Sequence, residues 1–432
     1  MKFISTSGQA PAVDLRTALL AGLAPDGGLY FPEQMPRLEV EAFDGAETLL
    51  DVACVLLAPF LEDDPLLGDL RSICDSSLDI ETPVVNIAAH SYLLELFHGP
   101  TAAFKDYGAR FLANTLGRIR PNEREARPLT ILVATSGDTG SAVAAAFHRK
   151  PGFRVVILYP DGRVSPRQAH QLGCFGDNVT ALRVPSGFDA CQAMVKRAFA
   201  DVELRARIPL SSANSISLGR LLPQATYYAY ASLKHERAVG RPLSFIVPTG
   251  NLGNAVAALM ARAIGLPIHR VLLATNRNRT VPEFIGTGEY HPRPSVSTLA
   301  NAMDVGDPSN VARLRFMMGK DPTLSRVLGA HSADDETIRV RIRGGEAKYQ
   351  RAFCPHTACG IEMLEQERRG GSDEDLCVVA TAHPSKFDDV VEGLVGHAVA
   401  PPEALRAMLA RPAKSEPLSA DYESLKAFLL RL

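Results

Sequence analysis

The sequence predicts an α/β protein built on parallel sheets, and three observations carry that prediction. Short apolar, β-branched runs recur between stretches of good helix formers. Glycine loops stand where several of these runs hand over to a helix. The alternation of strand and helix is sustained over most of the chain, as βαβ units require.

The first hundred residues mix helical patterns with turns such as "APDGG" and "FPEQMP". "LTILVAT" (129–135) is a short apolar run, read as a buried parallel strand, followed by the loop "SGDTG" and the helical "SAVAAAFHR". "RVVILYP" (154–160) and "NVTALRVP" (178–185) are the next strands, and "FDACQAMVKRAFA" is helical. "LSFIVPT" (243–249) leads into "GNLGN" and then the helical "AVAALMARAIG". "IHRVLLAT" (268–275) and "LCVVATA" (376–382) complete the strands. Between about 276 and 348 the rhythm weakens and Pro, Gly and Arg accumulate, which suggests a peripheral insertion. Right-handed crossovers place loop-borne sites at the carboxyl ends of parallel strands. "SGDTG", "GNLGN" and "TAHPSK" all stand at such ends.

Bulk properties narrow the classes of function. The chain has 432 residues, 46% hydrophobic and 22% charged, with a formal net charge of −2. That is ordinary globular composition with no basic stripe, so neither nucleic acid nor an anionic membrane is an expected partner. "MKFISTSGQAPAVDL" has no apolar h-region, and Arg262, Pro267 and Arg270 interrupt the longest apolar run. Seven scattered cysteines fit reduced thiols in the cytoplasm better than a disulfide framework. Cys354, His356 and Cys359 in "CPHTACG" raise a metal question. No second ligand pair is visible, so the stretch reads as a turn and helix start, and no metal is expected.

Three features carry chemistry. In "IVPTGNLGNAV" glycines allow close backbone approach, and the N-terminus of the following helix suits a phosphate. The loop is neither a Walker A motif nor a dinucleotide fingerprint; a plain tight turn is the alternative. In "VATSGDTGSAV", Ser136, Thr139 and the loop N–H groups suit a carboxylate, with Asp138 and Thr139 as simple helix caps the alternative. Lys105 in "HGPTAAFKDYGARF" sits among Ala, Phe and Gly at a helix start. A desolvated lysine amine is nucleophilic and can form a Schiff base; a lysine snorkelling to solvent is the alternative. Lysine, phosphate cradle and carboxylate cradle together match pyridoxal phosphate acting on an amino acid.

The ordered motifs resemble the threonine synthases of the longer bacterial and fungal type. They are "LLAGLAPDGGLYFP", "LELFHGPTAAFKDYGARF", "ILVATSGDTGSAVAAAF", "VVILYPDGRVSPRQ", "DACQAMVK", "SANSISLGRLLPQ", "VPTGNLGNAVA", "LATNRNRTVPEF", "TLANAMDVGDPSN", "PHTA" and "TAHPSKF". The resemblance implies the fold type II, tryptophan-synthase-β-like architecture with the site between two domains. The expected boundaries are an N-terminal segment at 1–95, a large cofactor domain at 96–128 and 236–432, and a small mobile domain at 129–235. It implies that Lys105 forms the Schiff base, that Gly250, Asn251, Leu252, Gly253 and Asn254 cradle the cofactor phosphate, and that Thr381 offers its hydroxyl to the pyridine nitrogen. Asp138 is assigned to both cofactor and substrate.

The implied substrate is O-phospho-L-homoserine. Its carboxylate is expected on Ser136, Gly137, Asp138 and Thr139, and its phosphate on Ser212, Asn214, Ser215 and Arg220, with Lys386 adding charge. Lys105 then removes the α-proton, γ-phosphate leaves, and water adds at the β-carbon to give L-threonine. A dehydratase or lyase of the same fold, and a ligand-binding relative without catalysis, are the competing readings. The chain is expected to be a monomer or homodimer. Ala102, Ser217 and Cys354 depart from the commonest pattern of the family.

Overall fold

A computed structural model describes residues 1–120 and 127–432. The expected boundary near 128 adjoins 121–126, which lie outside the described residues. The chain opens with a small antiparallel pair, β1 (Phe3–Ser5) and β2 (Tyr30–Pro32). An antiparallel hairpin follows, β3 (Val84–Ala88) and β4 (Ser91–Glu95). Next come β5 (Leu129–Ala134), β6 (Phe153–Pro160), β7 (Val179–Val184) and the two-residue β8 (Leu210–Ser211). The second half supplies β9 (Leu243–Pro248), β10 (Ile268–Thr275), β11 (Leu328–Ser332), β12 (Leu376–Ala380) and β13 (Glu416–Pro417).

Two main sheets result. The larger has the order β11-β10-β9-β12-β4-β3 and is parallel except for the β3–β4 hairpin. The smaller has the order β13-β7-β6-β5-β8 and is parallel throughout. Every residue of β5 and β9 is buried, as expected for strands covered on both faces. Each fully buried Val, Leu or Ile there contributes roughly 1.5–3 kcal/mol. All six strands expected from the sequence are present and parallel.

Four boundaries differ from expectation. The β3–β4 hairpin, expected in the N-terminal segment, closes one edge of the larger sheet. The helix Leu218–Val239, expected in the small domain, packs instead against the helices Lys105–Ile119 and Gly253–Ile264. Gly108 and Gly219 allow this closeness: a β-carbon on Gly108 would meet the Arg220 carbonyl oxygen at 2.7 Å, and one on Gly219 the Leu112 Cδ1 at 2.7 Å. The 276–348 region is not peripheral, since it supplies edge strand β11. Finally, β13 and the helix Tyr422–Arg431 return to the smaller lobe, where Leu418, Leu425 and Leu429 join its core. The overlooked strands of the two main sheets are two to five residues long, and all but β4 are edges, too short or too exposed to leave a clear period in the sequence. No described helix is long and apolar enough to cross a membrane.

Candidate active site

Lys105 opens the helix Lys105–Ile119 at the floor of a cleft between the two lobes. The preceding loop is fixed by its own residues. Asp106 accepts from the Thr101 N–H and hydroxyl, both at 2.8 Å, which ties the first helical turn back onto the loop. Gly99 is needed because a β-carbon there would lie 2.5 Å from the Asp106 carboxylate. Ala102 is buried with φ +55°. A larger, branched side chain would be strained in that left-handed conformation, which accounts for alanine at this position. The loop is then clamped to the end of β12: the Phe104 N–H donates to the Thr381 carbonyl at 2.9 Å, and the His383 N–H to the Ala102 carbonyl at 3.0 Å. Strand pairing thus sets Lys105 beside Thr381.

The loop Gly250–Asn254 lies on the opposite wall of the cleft, between β9 and the helix Gly253–Ile264. Gly250 has no room for a β-carbon, which would sit 2.6 Å from Met303 Cα. Leu252 adopts φ +62° at the cap, aiming the first helical N–H groups into the cleft. Asn251 is tied down by Ser215, which accepts from its amide at 2.5 Å, and by the Ser309 N–H at 2.6 Å. Asn254 accepts two phenol hydrogen bonds, from Tyr227 and Tyr228, on its side-chain oxygen. Its buried Nδ2 has no partner among the described residues. An N–H donor left open beside a helix N-terminus is what an anion would complete.

On the small-lobe side, Thr135 Oγ1 accepts the N–H groups of Gly137 and Gly140 at 3.0 and 2.9 Å and shapes the turn that presents Ser136, Asp138 and Thr139 to the cleft. Gly137 does not line the cleft; a β-carbon there would lie 2.6 Å from Gln168 Cδ. Asn214 and Ser215 line the cleft, with Asn214 held by its amide on the Ala134 carbonyl at 2.7 Å. Ser212 does not line it; its hydroxyl accepts the Asn214 N–H at 3.2 Å and so props the segment from behind. Arg220 reaches the cleft from below while 2% exposed. Its Nη1 donates to the Ala213 carbonyl at 2.5 Å, its Nε is buried without a partner, and burial pulls its pKa down to about 10.

Charge concentrates around Asp138. Its Oδ1 lies 2.8 Å from Lys386 Nζ and accepts from Gln168 at 2.9 Å; its Oδ2 lies 3.9 Å from Lys105 Nζ. Burial alone would raise this carboxyl, but Lys386 and Lys105 outweigh it and hold it well below the usual range. Burial lowers Lys105 to about 8, with Lys386 and Arg220 pushing the same way against Asp138. Lys386 is wholly buried and donates to the Thr101 carbonyl at 2.7 Å. It therefore does not reach the cleft as a free cation, contrary to expectation.

Several residues here escaped the sequence reading. His356 lines the cleft, its ring 4.9 Å from that of Phe387, and burial lowers it to about 4, so it is neutral. In the sequence it stands in "CPHTACG", where it reads as a candidate metal ligand and not as a cleft residue. Gln168 was concealed in a capping box with Ser165. Met303 and Val305, from the supposed insertion, roof the cleft. Arg313, also from that region, is buried without a carboxylate and spends its donors on the Tyr30 and Ile216 carbonyls and on Asn310. Cys354 caps the helix Pro355–Arg369, its sulfur accepting the Thr357 N–H at 3.4 Å, which explains its place before "PHTA". No group of three or more metal-ligating side chains occurs among the described residues. Ser217 is buried with its hydroxyl unpartnered, and nothing in the structure explains the choice.

The cleft fits pyridoxal phosphate: one partly desolvated amine, an incomplete anion nest across from it, and a Thr381 hydroxyl with no hydrogen bond among the described residues. Comparisons with known proteins agree. Residues 77–382 match the family model described as pyridoxal-phosphate dependent enzyme, 2–78 that of the threonine synthase N terminus, and 357–429 that of the threonine synthase C-terminal region. The chain is 37% identical to threonine synthase of Escherichia coli K12 over 433 residues, covering 100% of this chain and 99% of that one. It superposes on a crystal structure of threonine synthase from Escherichia coli with a TM-score of 0.94, at 36% identity and full coverage of both chains. A pyridoxal-phosphate-bound threonine synthase from Brucella melitensis gives a TM-score of 0.89 at 32% identity, covering 100% and 99%.

Proposed function

The chain belongs to the threonine synthase family, and from that premise we propose how its own residues divide the conversion of O-phospho-L-homoserine and water into L-threonine and phosphate. It is a pyridoxal-phosphate-dependent lyase of fold type II. The observation that carries the residue assignment is the juxtaposition of Lys105 with two facing anion nests, one on each lobe.

When bound, the cofactor delocalises the electron pairs left as protons depart from the substrate. Lys105 would hold its aldehyde carbon. The Gly250–Asn254 loop would hold its phosphate, with Asn254 Nδ2 as a free donor there. Thr381 would offer its hydroxyl to the ring nitrogen. Ser136 and Thr139 bind the substrate carboxylate through their hydroxyls and the loop N–H groups, with Asp138 at the loop's charged end. Asn214, Ser215 and Arg220 face the substrate phosphate, and Ser212 acts by propping Asn214. With its amine free, Lys105 would present Nζ to the reacting face, take the α-proton and later return one to the α-carbon. Arg220 favours departure of the γ-phosphate by charge. The Met303–Val305 roof and the small lobe limit entry of stray water. The small lobe comprises 129–217 with the returning tail from about 416, and its docking completes the site. Seven free thiols support a cytoplasmic location; a monomer or homodimer remains our reading.

The test supplies O-phospho-L-homoserine and measures phosphate and threonine together. Equal yields of both are expected. Phosphate with a 2-oxo acid, or brisk turnover of serine instead, would favour the dehydratase reading and reject this one. Borohydride trapping is expected to put the cofactor mass on the Lys105 peptide.

A further inference from the structure

Among the described ion-paired lysines, Lys386 alone has no exposed side-chain surface, and it shares Asp138 with the reacting amine. A buried ammonium ion is retained only where its charge is compensated and its donors are used. Here two donors are used: one on the Thr101 carbonyl of the lysine loop, one on Asp138 Oδ1. Ser165 Oγ also donates to the Lys386 carbonyl at 2.7 Å, so the small lobe grips this residue from both ends.

The distances rank the partners of Asp138. Lys386 Nζ is at 2.8 Å and Lys105 Nζ at 3.9 Å, outside hydrogen-bond range. The remaining groups facing Lys105 are Arg220 on the helix Leu218–Val239, neutral His356 and Cys354 by the helix Pro355–Arg369, and the Phe104 ring 4.8 Å away. Among the described residues, Asp138 is the carboxylate that pairs with this amine. Left alone in so dry a place, that carboxylate would close on Lys105 and hold it as an ammonium ion, which cannot take a proton.

We propose that Lys386 is a positioning residue for the reaction: by occupying Asp138 Oδ1 together with Gln168, it keeps this carboxylate from trapping Lys105, so that the Lys105 amine is free to act as base. Asp138 and Gln168 come from the small lobe and Lys386, Thr101 and Lys105 from the large one, so the arrangement is complete only with the lobes docked. This inference rests on Lys105 being the base, as proposed above.

The experiment measures the pH at which Lys105 becomes reactive, by labelling the full-length chain, freed of cofactor, with fluorodinitrobenzene and quantifying the Lys105 peptide by mass. In Lys386→Met the midpoint is expected to move up by about one pH unit, so that labelling near neutral pH falls about tenfold. In the holoenzyme the acid limb of kcat/KM should move the same way. Lys386→Met combined with Asp138→Asn should restore the wild-type midpoint, and Lys386→Arg should keep it. An unmoved midpoint in Lys386→Met, or a double variant still displaced, overturns the proposal. Should Lys386→Met fail to fold, Asp138→Asn decides: its midpoint must move down, and an unchanged or higher one refutes the idea. Trapping of cofactor on a residue other than Lys105 would instead reject the underlying reading.

Discussion

The backbone N–H of Ala302 donates to Nε2 of His356 over 3.1 Å. Through that bond the helix Pro355–Arg369 holds the 3-10 turn Asn301–Met303, and so the Met303 roof that lies on Gly250. The bond needs an unprotonated Nε2. Burial supplies it, lowering His356 to about 4.

His356 therefore contributes stability that is complete above the ordinary histidine pKa and is lost as pH falls from about 6.5 towards 4. The unfolded chain binds the extra proton in that window. A difference of this size is worth roughly 3 kcal/mol. Asp304, which burial raises to about 7 despite hydrogen bonds from Thr298 and Asn276, works in the opposite direction over much of the same range. The expected result thus lies in a comparison. Urea unfolding of wild type and His356→Asn at pH 7 and pH 5 should show the gap between them narrowing at the lower pH. A gap independent of pH would mean that His356 is not neutral by burial.

Asn254→Asp tests the anion nest. The substituted side chain can still accept from Tyr227 and Tyr228, but it places a negative oxygen where the open N–H stood. Cofactor affinity should fall at least tenfold, a cost of about 1.4 kcal/mol or more. Substrate dependence at saturating cofactor should change little. Unaltered cofactor binding in a titration followed by absorbance would remove Asn254 from the nest.

Arg220→Ala separates two anion sites. Arg220 is tied to the Ala213–Ser215 segment by its bond to the Ala213 carbonyl. The KM for O-phospho-L-homoserine should rise by tenfold or more while cofactor affinity changes much less. Equal losses of both would put Arg220 in the cofactor's subsite. Gly108→Ala gives an independent check on the packing: its methyl would press on the Arg220 backbone, and destabilisation of roughly 1–3 kcal/mol is expected in a denaturant titration.

Cys354 is expected to matter as a cap. Cys354→Ser should keep the Thr357 N–H bond and leave stability and activity close to wild type. Cys354→Ala should cost about 1 kcal/mol. Activity should survive prolonged exposure to a chelator in all three proteins. Loss of activity to the chelator would revive the metal reading of "CPHTACG".

The central strands were legible in the sequence because their signal is local: β5, β6, β7, β9, β10 and β12 are short runs rich in apolar and β-branched residues between turn residues. The lysine helix, the glycine nest and the substrate loop were legible for a similar reason, each being one short segment whose chemistry is spelled by neighbours. The resemblance to the family then joined them. What tertiary structure alone decided is everything that depends on residues far apart in the chain. Lys386 reads as a spare cation in "HPSK", and only the meeting of β12, the lysine loop and the small lobe buries it on Asp138. The roof from 300–305 and the return of 416–432 to the smaller sheet belong to the same class. A charge's protonation state follows its desolvation and its neighbours, and both are set by long-range packing, which no local pattern of residue types encodes.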